Sequence, residues 1–407
     1  MYTCMPAVLT MGILFAVLAF KFSAAYFSYA IAAFVFFLFW DMVKNHSIKI
    51  LEFPWKKFSL ILSGILLFYG ALLLSSLIQG NRGGFLVGLD YFWSVSPLVI
   101  VFLVFFNACR ADEGVKWGLL IGSMLDCATG IMQWYMKPGM RITSMHSHTN
   151  EFGTILAMTI PFIVYYLVKE ENKFFRFVEG CVLCMQIFCL YQTGSRGSVA
   201  SLAAGSVLAV VVLIFAFRKN FSVKKWIALF VTVGIFAAVC LGGIYVIHEE
   251  RIGMDKAGGE RFMMIESSLR MWEDHKIAGI GLNRWKDNYY GEYRPEKAVE
   301  ENLAMAHNMP IHFLATAGLI GFAGYAAFFL FVFAGLYKEV KRSKDFYFMM
   351  ALLTVYFGFF IHGLVDATFV NKVSCRIFFA LLGYGIMAET TGIMHRAGAD
   401  EEQAARL

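Results

Sequence analysis

An all-α polytopic membrane fold, with about twelve transmembrane helices and one large external loop, is what this sequence predicts. Of its 407 residues 59% are hydrophobic and only 16% charged, with a mean hydropathy of +0.64; a soluble domain would carry about a quarter charged residues. Apolar runs of about 20 residues recur along the chain, each able to cross roughly 30 Å of hydrocarbon at about 1.5 Å per residue. One stretch, 248–309, interrupts them with a density of Arg, Glu and Trp. Residues 1–407 therefore read as a single membrane domain, with 248–309 as an external lid inserted between the ninth and tenth spans.

In order, the apolar runs fall at 2–20, 24–43, 58–80, 91–108, 117–135, 150–168, 178–194, 199–217, 226–247, 310–336, 346–366 and 373–391. Only Lys21 to Ser23 separates the first two. Alternate loops hold the basic clusters, among them Lys56-Lys57, Lys169 to Arg176, Arg218 to Lys225 and Lys338 to Lys344. Lys and Arg are retained on the cytoplasmic side, so both termini are expected in the cytoplasm and the long loop outside. The net charge of +6 thus reports orientation, not nucleic-acid binding. The first apolar run continues into more membrane, so no cleavable leader is expected. Cys181-x-x-Cys184 has metal or redox spacing, but it sits inside an apolar run and reads as a pair of small buried hydrophobes.

In the lid, Arg261 to His275 puts Phe262, Ile265, Leu269 and Trp272 at 3–4 spacing, an amphipathic helix, which Gly279-Ile280-Gly281 ends. Arg261 and Arg270 are nine apart and on opposed faces. For Arg270 the expected role is an ion pair with Glu260, Glu266 or Asp274.

Chemistry is expected where charge meets the outer face. Arg141 precedes His146-Ser147-His148-Thr149-Asn150-Glu151 at the start of span six. Gly194-Ser195-Arg196-Gly197-Ser198 joins spans seven and eight. His307-Asn308 precedes Pro310 at span ten. All three are N-termini of helices running inward, so their positive dipole ends and free N–H groups share one face. With Arg196 and Arg141 they form a candidate anion site. The competing reading of Arg196 is an interfacial arginine that only ends two helices. His307, with an ordinary pKa near 6.5, is a candidate general base for a hydroxyl; the competing reading is a histidine that caps span ten. His312 points away and packs. His146 and His148 lack a carboxylate triad and do not read as a metal site, and the outer loops contain no Asp-x-Asp pair.

Gly194-Ser195-Arg196-Gly197-Ser198, Arg261 through Gly279-Ile280-Gly281, then Ala306-His307-Asn308 and Ala317-Gly318-Leu319-Ile320-Gly321, in that order, resemble the O-antigen ligase and polymerase superfamily over roughly residues 141–325. The resemblance implies a C-type membrane glycosyltransferase fold and a polyprenyl-diphosphate-linked glycan donor. It further implies no metal and no cofactor, and a hydroxyl on a glycan, lipid or envelope acceptor, at the outer face of the cytoplasmic membrane. It carries His307 to the reacting centre and Arg196 and Arg261 to the diphosphate, with Arg141, Asn308 and Ser195 as further substrate-binding positions. Two departures stand out: Thr316 where the family often has an acidic residue, and Lys276 where it has Pro. The aromatics Trp272, Trp285, Tyr289, Tyr290 and Tyr293 could stack on sugars. A ligase and a repeat-unit polymerase remain equally compatible. A transporter would instead need ionisable groups near helix midpoints, and only Asp126 lies well within a span.

Overall fold

The computed structural model describes residues 5–21, 25–45, 55–107, 111–217 and 256–404, with isolated positions at 227, 231 and 234. The described residues form helices and no strands. In order these are α1 (Met5–Ala19), α2 (Tyr26–Asn45), α3 (Ser59–Ile78), α4 (Arg82–Trp93), α5 (Ser96–Asn107), α6 (Ala111–Met136), α7 (Thr149–Lys169), α8 (Lys173–Thr193), α9 (Arg196–Phe217), α10 (Lys256–Asp274), α11 (Met309–Arg342), α12 (Phe346–Gly363) and α13 (Lys372–Ala404).

Among the described residues, nine helical stretches are long and apolar enough to cross a membrane. This is a multi-pass membrane protein. The expected first span is only the 15-residue α1, short of the roughly 20 residues a crossing needs. The run expected at 91–108 starts nearer Arg82, where the Asn81 side chain caps α4 by accepting from the Gly84 N–H at 3.0 Å, and the stretch is interrupted before Pro97, which has no N–H to give. The expected span at 226–247 lies outside the described residues except at positions 227, 231 and 234. Cys181 and Cys184 are exposed on α8, not buried as their apolar surroundings suggested, because a lipid-facing helix is apolar all round and hydropathy does not mark its inner side.

Small residues set the helix contacts. Gly114, Gly118 and Gly122 line one face of α6, where α1 lies so close that a Cβ on Gly114 would meet the Val8 carbonyl at 2.2 Å. Gly205 of α9 meets Gly358 of α12 in the same way. Such close approach replaces the hydrophobic drive that is missing between helices in lipid.

The segment expected to form the lid has its own core of Met264, Met271, Ile280, Trp285, Tyr289, Tyr293, Leu303 and Ala306, continued by Ala315 of α11. The buried face of α10 is Glu260, Met264, Ser267, Ser268 and Met271, while Phe262 is 67% exposed. The apolar stripe read from the sequence is therefore only partly buried, with Ile265, Leu269 and Trp272 half-buried, and a neighbouring face is the one fully packed. Two buried serines explain this: Ser267 Oγ donates to the Tyr293 carbonyl at 2.7 Å, and Ser268 Oγ accepts from Trp285 Nε1 at 2.9 Å. Hydrogen bonding makes these polar positions suitable for burial, and a hydrophobicity pattern does not register them.

The lid is anchored in a broken helix. Gly318 interrupts α11 with φ 65° and ψ −162°, a conformation that glycine alone adopts readily. The carbonyls freed before it, on Ala315 and Thr316, accept from the N–H groups of Ile280 and Gly281, both at 2.9 Å. The N–H groups freed after it, on Leu319 and Ile320, donate to the carbonyls of Lys276 and Ile277 at 2.9 and 3.3 Å. Gln79, at the end of α3, adds a bond from Nε2 to the Gly279 carbonyl at 2.8 Å. Irregular backbone in a membrane protein needs such partners.

Candidate active site

The starts of α7, α9 and α11 converge on the α12–α13 connection. Thr154 Oγ1 of α7 lies 2.9 Å from His362 Nε2. A Cβ on Gly197, at the start of α9, would lie 3.0 Å from Val365 and 3.4 Å from the His362 ring. Asn308 Nδ2, ahead of α11, donates to the Leu364 carbonyl at 2.9 Å. Three helix N-termini thus share one small region, the arrangement their loop motifs suggested.

At its centre His307 Nδ1 is 3.0 Å from Asp366 Oδ1. His307 has φ 49°, a left-handed conformation that costs a non-glycine residue energy and clusters at functional sites. Its side chain stays 28% exposed. It does not cap α11: Asn308 does, its Oδ1 accepting from the Ile311 N–H at 3.1 Å. Asp366 also accepts from the Ala367 N–H at 2.8 Å, and its Oδ2 lies 3.8 Å from His362. Burial alone would raise the Asp366 pKa, but the hydrogen bond and charge of His307, the charge of His362 and the Ala367 N–H hold this carboxyl well below its ordinary value.

A cavity of about 650 Å³ opens beside this pair, lined by His307, Asp366, His362 and Asn302, and on the α7 side by His148, Asn150 and Glu151. Its floor is braced by a buried ion chain. His146 Nε2 is 2.9 Å from Asp126 Oδ2, and its Nδ1 is 3.1 Å from Glu151 Oε1. Burial opposes protonation of His146, but the two carboxylates override it and raise its pKa to about 9. His146 therefore has two carboxylate partners: Glu151 of its own motif, and Asp126, 20 residues upstream, which its sequence neighbourhood did not reveal. Among the described residues no group of three or more His, Cys, Asp or Glu could hold a metal ion.

The other expected site residues divide. Arg196 begins α9, half-buried beside Gly197. Arg261 is half-buried on α10, within electrostatic reach of His362. Neither lines the cavity. Arg141 is a brace: its Nε donates to the Thr193 carbonyl at 2.6 Å and an NH2 nitrogen to Asn150 Oδ1 at 3.4 Å. Ser195 is buried with its Oγ 2.8 Å from Ser198 Oγ, so it secures the turn. Arg270 is exposed and paired with Glu266 at 2.5 Å. His312 is buried against Phe313. Thr316 Oγ1 donates to the His312 carbonyl at 2.7 Å, within the broken turn. Of the lid aromatics, Trp285, Tyr289 and Tyr293 are core residues; Trp272 and Tyr290 are half-buried.

Asp366 and His362 were missed from the sequence. Both fall at the end of an apolar run, where the only signal was an acid four residues after a histidine.

Residues 180–326 match the family model described as O-Antigen ligase. Over this segment the chain is similar to O-antigen ligases. The segment takes in the Arg196 turn, the lid, His307 and the broken part of α11. The chain is also similar to the teichuronic acid biosynthesis protein TuaE of Bacillus subtilis (strain 168), 21% identical over 256 residues, which are 59% of this chain and 51% of that protein. The chain thus spans about half the length of that relative.

Proposed function

We propose that this protein is a membrane glycosyltransferase of the O-antigen ligase type. It moves a glycan from a polyprenyl diphosphate to an acceptor hydroxyl at the outer face of the cytoplasmic membrane, with both termini in the cytoplasm. The observation that carries this reading is the His307–Asp366 pair, opening on a cavity at the meeting point of three helix N-termini.

With Nδ1–H donating to Asp366, His307 keeps the Nε2 lone pair for the acceptor proton. The acceptor oxygen attacks the anomeric carbon and a new C–O bond forms. The bond from that carbon to the diphosphate oxygen breaks, and its electron pair leaves with the diphosphate. The hydroxyl proton ends on His307. Attack opposite the leaving group inverts the anomeric centre. Arg196, next to Gly197 at the start of α9, and Arg261, within electrostatic reach of His362, stabilise the charge that grows on the diphosphate. Arg141, Ser195 and Asn308 hold these elements in register. The step uses no metal ion and no cofactor.

A repeat-unit polymerase performs the same chemistry with a second lipid-linked glycan as acceptor, and the relative named for teichuronic acid biosynthesis keeps that reading beside the first. The test is transfer by the purified protein in EDTA, from a polyprenyl-diphosphate glycan to either acceptor, with the anomeric configuration of the product read by NMR. An inverted product supports the reading; a retained configuration, or no transfer to either acceptor, contradicts it.

A further inference from the structure

A second cleft, of about 430 Å³, lies on the lid and is lined by Lys286, Asp287, Tyr290, Arg294, Glu301 and Asn302. Asn302 also lines the cavity at His307, so one residue forms the ridge between the two. We propose that this cleft binds a sugar unit of the glycan chain, beyond the unit held at His307. The proposal rests on the glycan-transfer reading only in taking its ligand to be a chain of sugars.

The chemistry of the lining suits hydroxyl groups. Two cations, Lys286 and Arg294, share the lining with two anions, Asp287 and Glu301, so the cleft offers both donors and acceptors and its lining carries no net charge. Tyr290, half-buried, supplies a rigid, amphipathic ring that makes contact at low entropic cost. The volume falls in the ~300–1,000 Å³ range of small-molecule sites.

The cleft is also prebuilt. Tyr290 Oη accepts from the Leu303 N–H at 2.8 Å, which ties the ring to the segment walling the His307 cavity. Arg294 lies 5.1 Å from the Tyr290 ring centroid and donates to the Ala298 carbonyl at 3.1 Å. Glu260 Oε1, on α10, accepts from the Val299 N–H at 2.6 Å. Asn302 sits at φ 64°. A wall fixed in this way loses little freedom on binding, and a chain leaving the first cavity over Asn302 enters the second.

The test uses the full chain in lipid nanodiscs. The probes are oligosaccharides of one to about six sugars, released by mild acid from the surface glycan of the cells that make the protein and titrated calorimetrically. The wild-type protein is expected to bind fragments of three or more sugars about tenfold tighter than the monosaccharide, a difference of about 1.4 kcal/mol. Lys286→Ala combined with Glu301→Ala, both exposed and neither lining the His307 cavity, is expected to lose that preference while monosaccharide affinity stays within twofold. A preference that survives in the variant, or is absent from the wild type, overturns the proposal. A length preference in a protein that transfers no glycan would support the cleft and refute the transferase reading, so the two failures are distinct.

Discussion

His307 and Asp366 come from opposite sides of a helical hairpin, 59 residues apart in the chain, and meet at 3.0 Å. The His307 backbone is strained at φ 49°, and the Asp366 carboxylate is held ionised by its surroundings. A base whose second nitrogen is tied to a carboxylate has its tautomer and orientation fixed before substrate arrives. Asp366→Asn keeps the shape and loses the charge. It is expected to lower kcat at least about a hundredfold with KM changed less than threefold, measured as initial rates of glycan transfer; an unchanged kcat would remove Asp366 from the mechanism.

The two lid arginines should behave differently. Arg270 forms an exposed ion pair with Glu266, and such pairs contribute little; Arg270→Ala is expected to retain transfer within twofold. Arg261→Ala removes a cation near His362 and is expected to cost about a hundredfold to a thousandfold in kcat. Equal rates for the two variants would show that the lid has been assigned the wrong arginine.

Gly318 should resist replacement. A Cβ there would approach the Ile277 carbonyl to 2.2 Å, and the positive φ adds strain of about 1–3 kcal/mol. Gly318→Ala is expected to detach the lid from α11, seen as faster protease cleavage within 256–306 at unchanged membrane insertion. Cleavage at the wild-type rate would mean that the turn tolerates a side chain.

His146 makes stability depend on pH. Its folded pKa of about 9 lies above the ordinary value near 6.5. The stabilisation is therefore fully present below about pH 6.5 and is lost as pH rises through 9, on the order of 3 kcal/mol in all. The melting temperature should fall between pH 7 and pH 10, and His146→Gln should flatten that slope. A slope unchanged in the variant would assign the pH dependence to other groups.

Much of this was legible in the sequence, and what was not has a physical cause. Apolar runs disclosed most of the crossings because lipid demands length and hydrophobicity from each one. The three N-terminal motifs pointed to one region because their spacing fixed the direction of each helix. Gly279-Ile280-Gly281 and Gly318 were visible as motifs, but not as partners, since their backbone bonds carry no residue signature. The fully buried face of α10 was not legible because Ser267 and Ser268 are buried by hydrogen bonding. Asp366, the partner of His307, escaped because sequence separation hides a contact that only the packing of α11 against the end of α12 creates.

The most direct measurement is single-turnover glycan transfer by His307→Ala, inserted and folded as the wild type, with donor and acceptor saturating. A fall of about a hundredfold to ten-thousandfold in the rate of the chemical step, with donor affinity retained, is the expected result. Transfer at the wild-type rate would contradict the assignment of His307 as the base.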